Sequence, residues 1–409
     1  MVDPATLGAF VVASVASFFM AWAIGAGSSG STPFAPAVGA NAISVMRAGL
    51  LVGVLCLLGA VLQGANVSEA VGGDLIEGVA LSAEAATIGL TIAAALVAVG
   101  VFTGYPIATA FTVTGAVIGA GLAMGGDPAW WKYREIAALW TLTPFVGGGI
   151  AYVTARALRE EPIPERQVVL VLAGIVGAIL ANVEFAMLGS DDGGASIAQA
   201  AAPMLPGSTT VGVLLATVII ALAWAGGLRW DMRRGTTVAE RHLLLALGGL
   251  VAFSAGGSQV GLAVGPLVPL AADVQLTITA LLVGGGFGLL VGAWTGATRM
   301  IKAISQDYSS LGPRRSIAAL IPSFAIAQVA ILYGIPVSFN QIVVSAIIGS
   351  GYAAASAGGV SGRKMGYTML AWTLSLAGAI VITYVGFLGF TWLVGYVGFF
   401  RFTWLVGVV

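Results

Sequence analysis

Long apolar runs alternate with short polar connections along the whole chain. Most runs approach the ~20 residues that an α-helix needs to cross a bilayer, whereas barrel strands would be short and alternating. We predict an all-α integral membrane protein with about 10–12 transmembrane helices, in which some runs are half-spans or arms of hairpins. The thirteen runs are 6–24, 43–64, 84–103, 106–124, 135–157, 168–189, 209–228, 242–264, 273–298, 316–333, 336–357, 366–388 and 389–409.

Composition supports this class and excludes others. Of 409 residues, 58% are hydrophobic and 8% charged, against roughly 25% charged in soluble domains. The net charge of zero offers no basic surface for nucleic acid. One cysteine, Cys56, allows no internal disulfide. The sequence shows no Cys/His metal cluster and no P-loop, and we expect its single histidine, His242, to be interfacial, so we do not expect an enzyme.

Two uncharged segments rich in small residues interrupt the apolar pattern. They are GAGSSGSTPFAPAVGA at 25–40 and SAGGSQVGLAVGPLVPL at 254–270. Irregular backbone at membrane depth persists only where protein or a water-filled cavity surrounds it. Both segments therefore predict broken helices inside the protein.

Basic residues predict the orientation of the chain. The loops 157–167, 229–241, 299–315 and 361–365 carry most of the Arg and Lys, and counting the runs as crossings places all four on one side, which should be cytoplasmic. The acidic segment 69–84 then falls outside, together with Lys132 and Arg134, which depart from the rule. We expect a multi-pass protein of the cell (plasma or inner) membrane.

An internal repeat is the most informative feature. GYPIATAFTVTGAVIGAGLA from Gly104 aligns without a gap with GIPVSFNQIVVSAIIGSGYA from Gly334, with eight of twenty residues identical. The span count puts the Gly104 turn inside and the Gly334 turn outside, as in inverted-repeat transporters. We predict inverted repeats over 1–125 and 241–360 that form the transport core, connecting transmembrane helices over 126–240, and C-terminal transmembrane helices over 361–409.

Several segments resemble the inorganic phosphate transporter (PiT) family, whose repeats each carry a GANDVANAFG-like segment and a later PVSTTH-like segment. FSAGGSQVGLAVGPL from Phe253 is similar to the second-repeat motif. Pro336-Val-Ser338 and Pro106-Ile-Ala-Thr109 stand where PVST stands. The resemblance covers about residues 5–125 and 245–360. It implies a transport fold of two inverted repeats.

The departures from the family pattern concern its charged residues. The paired Asn-Asp is replaced by Gly27-Ser28 in the first copy and by Ser258-Gln259 in the second. The downstream Asn is replaced by Ser31 and Leu262, the histidine of PVSTTH by Phe111 and Gln341, and a glutamate of the second span by Cys56. The resemblance implies that the family's acids bind the coupling cation, and here these positions are neutral.

The remaining chemistry suits a small inorganic oxyanion. Broken helices can direct N–H groups at an anion, glycine allows close backbone approach, and hydroxyls add neutral donors. The alternative is that Ser and Thr bond to their own helix and Gly serves packing. The predicted substrate-binding residues are Gly27, Ser28, Ser29, Ser31, Thr32, Thr109, Thr112, Gly257, Ser258, Gln259, Ser338, Asn340 and Gln341.

No acidic residue stands clearly at mid-membrane. Glu184 lies near the end of a run, where its side chain can reach the interface. No cofactor is expected, and coupling to Na⁺ or H⁺ stays open, because backbone carbonyls and hydroxyls can also hold sodium.

We therefore expect a secondary transporter that moves phosphate or a similar oxyanion by alternating access. Sulfate or another tetrahedral anion is a close rival, because sulfate carries no proton for an acidic acceptor. A passive anion channel and a fold that has lost transport are further alternatives. The apolar middle spans leave a homodimer open as the assembly.

Overall fold

The computed structural model describes residues 3–159, 164–189, 194–308, 310–353 and 362–406, and it is almost entirely helical. Within these ranges, nine helices are long and apolar enough to cross a membrane, which confirms a multi-pass α-helical membrane protein. These nine are α1 (Pro4–Gly27), α3 (Val45–Gln63), α5 (Ala83–Thr103), α7 (Trp130–Ala157), α10 (Thr209–Met232), α11 (Thr236–Val264), α13 (Ile278–Asp307), α14 (Pro313–Leu332) and α16 (Gly362–Val406).

The other helices have 17 residues or fewer. With 15 and 14 residues, Thr109–Ala123 and Phe339–Tyr352 are too short for a full crossing, as expected of half-spans or hairpin arms, whereas Glu165–Ala181, with 17, is at the lower limit for one. The shorter helices are α2 (Ala35–Gly39), α4 (Ala65–Gly73), α6 (Thr109–Ala123), α8 (Glu165–Ala181), α9 (Ile197–Ala201), α12 (Val268–Ala271) and α15 (Phe339–Tyr352). Two small antiparallel pairs join β1 (Ile76–Glu77) to β2 (Asp127–Pro128) and β3 (Glu184–Phe185) to β4 (Ala195–Ser196).

Two details of the predicted spans are wrong. The runs 366–388 and 389–409 do not form two helices, because α16 continues through their junction, where no proline or charged residue interrupts it. The break predicted from residue 254 begins only at Gly265, where the 3₁₀ turn Gly265–Leu267 follows α11. Pro266 lies in that turn, and proline supplies no N–H to continue a helix.

The first predicted break is where the sequence places it. Helix α1 ends at Gly27, and turns follow until α2 begins at Ala35. Pro33 and Pro36 lie at this break. In the first copy α1 ends before these prolines, and Pro36 stands in the first turn of α2, whereas in the second copy Pro266 lies at the interruption itself.

The basic loops gather on one face of the molecule, as predicted. A pocket of about 560 Å³ is lined by Arg159, Glu240 and Arg315, which come from three of these loops. Lys364, from the fourth, lies 5.1 Å from the ring centroid of Tyr308.

Lys132, which departs from the charge rule, has acidic partners. Its ammonium lies 3.6 Å from Asp74 and 3.5 Å from Glu135. The β1–β2 pair brings the acidic segment beside the start of α7. The acidic segment therefore supplies the partners that hold this buried lysine.

Each Gly-x-Pro sequence opens a helix that packs tightly on a helix remote in sequence. α6 packs on α16, where an added Cβ at Gly119 would collide with the carbonyl oxygen of Ile380. α15 packs on α7, where an added Cβ at Gly349 would collide with that of Gly148. Gly119 and Gly349 are aligned in the internal repeat, and both allow helices to approach closely.

Candidate functional site

The break after α1 forms a tight, buried turn. It lies beside two segments that we call the hairpins: the first runs from the Gly104 turn into α6, and the second from the Gly334 turn into α15. The Ser28 carbonyl accepts from the N–H groups of Ser31 and Thr32, both at 3.0 Å. It also accepts from their hydroxyls, both at 3.1 Å. Ser31 and Thr32 thus close the turn on itself, and the Ser28 side chain is the one that contacts the rest of the site.

A chain of neutral hydrogen bonds joins the two motif copies. The Thr109 hydroxyl donates to Gln259 Oε1 at 2.9 Å and lies 3.4 Å from Ser28 Oγ. Gln259 Nε2 in turn donates to the carbonyl of Val337. Ser28, Thr109 and Gln259 are fully buried, so this contact lies inside the protein.

Asn340 ties the first break to the first hairpin. Its Nδ2 donates to the carbonyl of Gly27 at 2.9 Å and to that of Ile107 at 2.7 Å. The first break, the part of α11 around Gln259 and the two hairpins therefore meet at one place. We call the group formed by Gly27, Ser28, Thr109, Ser258, Gln259, Ser338, Asn340 and Gln341 the hairpin site.

Two helix N-termini meet at the hairpin site without side-chain caps. α6 follows Ala108 and α15 follows Ser338, and neither preceding residue caps its helix by a side-chain hydrogen bond. The first intrahelical bonds run from Thr112 N–H to Ala108 and from Ile342 N–H to Ser338. The first N–H groups of both helices therefore have no intrahelical acceptor, and such groups favour an anion.

Four side chains of the hairpin site carry a buried polar atom without a partner. These atoms are Ser258 Oγ, Ser338 Oγ, Asn340 Oδ1 and Gln341 Oε1. The Asn340 amide cannot be turned over, because Nδ2 faces two carbonyls that only accept. Gln341 Nε2 likewise donates to the Trp140 carbonyl at 2.7 Å. Buried polar groups are normally satisfied, so these four atoms remain available to a ligand.

Other predicted residues serve local structure, as the alternative interpretation held. The Ser29 hydroxyl bonds to the Ile24 carbonyl at 3.4 Å, and the Thr112 hydroxyl to the Ala108 carbonyl at 3.0 Å. An added Cβ at Gly257 would lie 2.8 Å from Cβ of Gln63, so this glycine permits packing. The hydroxyls of Ser29, Ser31, Thr32 and Thr112 are thus bonded to nearby backbone carbonyls.

Two tryptophans that the sequence did not single out hold the hairpins. Trp140 Nε1 donates to the Pro336 carbonyl and Trp372 Nε1 to the Pro106 carbonyl, both at 2.8 Å. Trp140 also stacks on Phe111, with centroids 3.8 Å apart. A signal was present, because Trp140-Thr-Leu-Thr and Trp372-Thr-Leu-Ser repeat the same pattern.

A cleft of about 990 Å³ leads from the surface towards the hairpin site. Gln63 and Gln328 lie on its wall 3.3 Å apart, and Gln328 Nε2 donates to the Ser254 hydroxyl at 2.6 Å. Glu184 also lines the cleft from β3, not from a span end as expected, because α8 stops at Ala181. Gln63 also packs against Gly257, the neighbour of Ser258, so this wall of the cleft lies against α11 next to the hairpin site.

Comparison with known proteins gives consistent similarities. The model of a family described as "Phosphate transporter family" matches residues 9–383. A protein of Chlamydia trachomatis named "Putative phosphate permease" is 25% identical over 91% of this chain and 96% of its own length. "Inorganic phosphate transporter 2-1, chloroplastic" of Arabidopsis thaliana is 23% identical over 82% of this chain and 64% of its own length.

A solved structure shares the fold. It is that of a protein named "The sodium-dependent phosphate transporter", and it is similar with a TM-score of 0.79 at 21% sequence identity. The match covers 94% of this chain and 99% of that chain.

Proposed function

This chain belongs to the phosphate transporter family, and we propose that it is a permease that moves inorganic phosphate across the membrane. Family and fold point to a transporter rather than an enzyme. The proposed substrate site is the hairpin site, and the proposed mechanism is alternating access around it.

The observation that carries this proposal is the pair of uncapped helix N-termini at α6 and α15. Both lie inside the protein, and no side chain satisfies their first N–H groups through a cap. A buried helix end without partners is costly. An oxyanion between the two ends would accept from both helices and from the hydroxyls of Ser258 and Ser338.

The acceptor atoms favour phosphate over sulfate. Asn340 Oδ1 and Gln341 Oε1 can only accept a hydrogen bond, and neither has a donor within the protein. Phosphate at neutral pH carries at least one P–OH group that can donate to them, whereas sulfate carries none. The two amide oxygens can therefore accept a hydrogen bond from the P–OH group of the substrate, the role for which the sequence offered no acidic residue.

The surroundings of the two turns support opposite orientations of the repeats. Tyr105, next to Gly104, lies 5.7 Å from Lys364 on the basic face. Gly334 instead lies against Asn66, which lines the cleft. Rocking of two inverted halves would expose the buried site to one face and then to the other, and a permanently open channel would not bury Ser28, Thr109 and Gln259 completely.

Transport in proteoliposomes tests the proposal. We expect uptake of labelled phosphate that excess unlabelled phosphate inhibits more strongly than sulfate does. Ser338→Ala should weaken phosphate binding roughly 10- to 150-fold, because a hydrogen bond to a charged group contributes about 1.5–3 kcal/mol.

Ser350→Ala is the matched control. Ser350 lies on the same helix, but its hydroxyl bonds to the Ile347 carbonyl at 2.9 Å, so we expect wild-type transport. Transport of sulfate without phosphate would contradict the proposed substrate. Equal loss in both variants would contradict the proposed site.

A further inference from the structure

We infer that an anionic phospholipid occupies a pocket between α8, α10 and α11, with an acyl chain along the apolar wall of the pocket and its phosphate group at Arg234. None of the residues that line this pocket belongs to the hairpin site, so the inference does not rest on the proposed function.

The pocket has the size and the apolar wall of a ligand site. Its volume is about 620 Å³, within the roughly 300–1,000 Å³ of ligand pockets. Its wall includes Ala173 of α8, Trp224 and Leu228 of α10, and Leu243 and Ala246 of α11. Because this wall is apolar, water gains few hydrogen bonds there. A hydrocarbon chain would restore the dispersion contacts that an empty pocket forfeits.

The pocket exists because α10 lies against α8 rather than against α11. α10 packs closely along α8, where an added Cβ at Gly177 would lie 2.9 Å from Cβ of Trp224, and it contacts α11 far less. Most side chains of this membrane-spanning helix face outward and are not buried by protein. Gly227, which lines the gap, has nothing within 4 Å of an added Cβ. The gap between α10 and α11 is therefore open to the bilayer, which supplies acyl chains.

The charged residues of the lining lie at the end of the pocket next to the basic loop 229–241. Cζ of Arg234 lies 3.7 Å from the ring centroid of Trp230, a cation–π contact that positions the guanidinium. Tryptophan is enriched at the membrane–water interface, which is where lipid headgroups lie. Arg234 therefore stands at headgroup depth, and the apolar wall extends from it into the spans.

The positive charge of Arg234 is available to a phosphate group. Asp231 is the acidic residue of the lining, and its Oδ2 lies 2.6 Å from Nδ1 of His242. Within the described ranges, no carboxylate forms an ion pair with Arg234. The loop 229–241 carries four Arg against one Asp and one Glu. Such an excess attracts the anionic lipids of the cytoplasmic leaflet, the side on which we expect the basic loops.

The combination of apolar wall and charged rim favours a phospholipid over a free anion. A free phosphate at Arg234 would leave the apolar wall empty and would approach the carboxylate of Asp231. A phospholipid would fill the wall with its chain and place its phosphate at the guanidinium, which forms strong charge-assisted hydrogen bonds with phosphate.

Lipid-dependent stability of the purified full-length protein in neutral detergent tests the inference. The melting temperature is measured while phosphatidylglycerol, phosphatidylcholine with the same acyl chains, or inorganic phosphate is added. A ligand that binds the folded state raises its stability, so we expect phosphatidylglycerol to raise the melting temperature at lower concentrations than phosphatidylcholine. Equal effects of the two lipids would overturn an anionic lipid as the occupant.

Gly227→Leu and Gly226→Leu form a matched pair of variants. Both replace a glycine that has nothing within 4 Å of an added Cβ, and both introduce a better helix former. Of the two glycines, only Gly227 lines the pocket. Gly227→Leu fills the pocket and should remove the response to phosphatidylglycerol, whereas Gly226→Leu should keep it. Equal responses of the two variants would overturn the assigned site.

Arg234→Gln tests the contact with the headgroup. It should raise the concentration of phosphatidylglycerol needed for half of the effect about fivefold, the loss expected for one basic residue near a membrane surface. Arg229→Gln, exposed on the same loop but outside the lining, should change it less. This pair also decides the question if Gly227→Leu does not fold, because equal shifts in both arginine variants would overturn the contact at Arg234.

A second copy of the chain is the rival occupant, and native mass spectrometry distinguishes it from a lipid. We expect Gly227→Leu to lose bound phosphatidylglycerol that the wild type retains, at an unchanged oligomeric state. A change of oligomeric state with the same bound lipid would overturn the inference. A response to inorganic phosphate that Gly227→Leu abolishes would also overturn it, because the pocket would then bind a free anion.

Discussion

Trp140 and Trp372 make the same contact in the two halves of the molecule. Each Nε1 donates at 2.8 Å to a carbonyl of a Gly-x-Pro turn, Trp140 to Pro336 and Trp372 to Pro106. Trp140 follows the first copy in sequence but holds the hairpin of the second, and Trp372 does the reverse. The helix that follows each copy in sequence thus holds the hairpin of the other copy.

The same two helices correspond further along their length. Eight residues after each tryptophan, Gly148 and Ile380 meet the aligned glycines of the opposite hairpins. We propose that the repeats extend beyond 1–125 and 241–360 to include α7 and α16. An exchange of this kind would couple the two halves mechanically, as rocking between two states requires.

The first prediction concerns these indole donors. Trp140→Phe and Trp372→Phe each leave a carbonyl of a hairpin turn without that donor, so each should lower stability by about 1–3 kcal/mol. Trp294→Phe, which removes a donor to the Leu50 carbonyl at the exposed surface, should cost less. Thermal unfolding can be followed with a thiol-reactive dye, because Cys56 is buried and is the one cysteine in the chain. Equal melting temperatures for the three variants would contradict a special role for the hairpin contacts.

The second prediction concerns helix approach at the aligned glycines. Gly119→Ala places a methyl group against the backbone of α16 and should cost at least about 2–3 kcal/mol, because the packed backbone cannot move away freely. Gly378→Ala, on α16 itself, meets open space and should be neutral or stabilise by up to about 1 kcal/mol. Melting temperatures of the two purified variants provide the comparison. A Gly119→Ala protein as stable as wild type would mean that α6 and α16 can separate.

The sequence predicted the parts of the site that depend on local chemistry. Proline and glycine mark the break after Gly27 and the turns at Gly104 and Gly334, and buried Ser, Asn and Gln mark the polar lining. The hydrogen bonds of Trp140 and Trp372 could not be predicted from local sequence, because they depend on which helices, remote in sequence, pack together. The second break was placed too early for a local reason. Glycines from Gly256 onward are tolerated in a packed helix, whereas Pro266 ends it.

The third prediction concerns discrimination between anions. Gln341→Met keeps the length of the side chain but removes the acceptor Oε1, together with the Nε2 that donates to the Trp140 carbonyl. Phosphate should then compete about tenfold less well for its own uptake, which corresponds to about 1.4 kcal/mol. Inhibition by sulfate should change less, since sulfate has no proton to donate to Oε1. The ratio of the two inhibition constants is the measurement, because a general loss of folded protein affects both alike. An unchanged ratio would exclude Gln341 from selecting the substrate.

The fourth prediction concerns access from the cleft, and a single-cysteine background makes it measurable. In Cys56→Ala protein, Asn66→Cys places a thiol on the exposed wall of the cleft, and Ser258→Cys places one at the buried hairpin site. A water-soluble thiol reagent should modify position 66 at least about a hundredfold faster than position 258, because reaction at 258 requires the structure to open.

We expect the contact of Gln63 with Gln328 to act as the barrier between positions 66 and 258. Gln63→Ala should therefore accelerate modification at 258 and leave the rate at 66 unchanged. Equal rates at 66 and 258 without that substitution would mean that the cleft already reaches the site, and alternating access would then need a gate elsewhere.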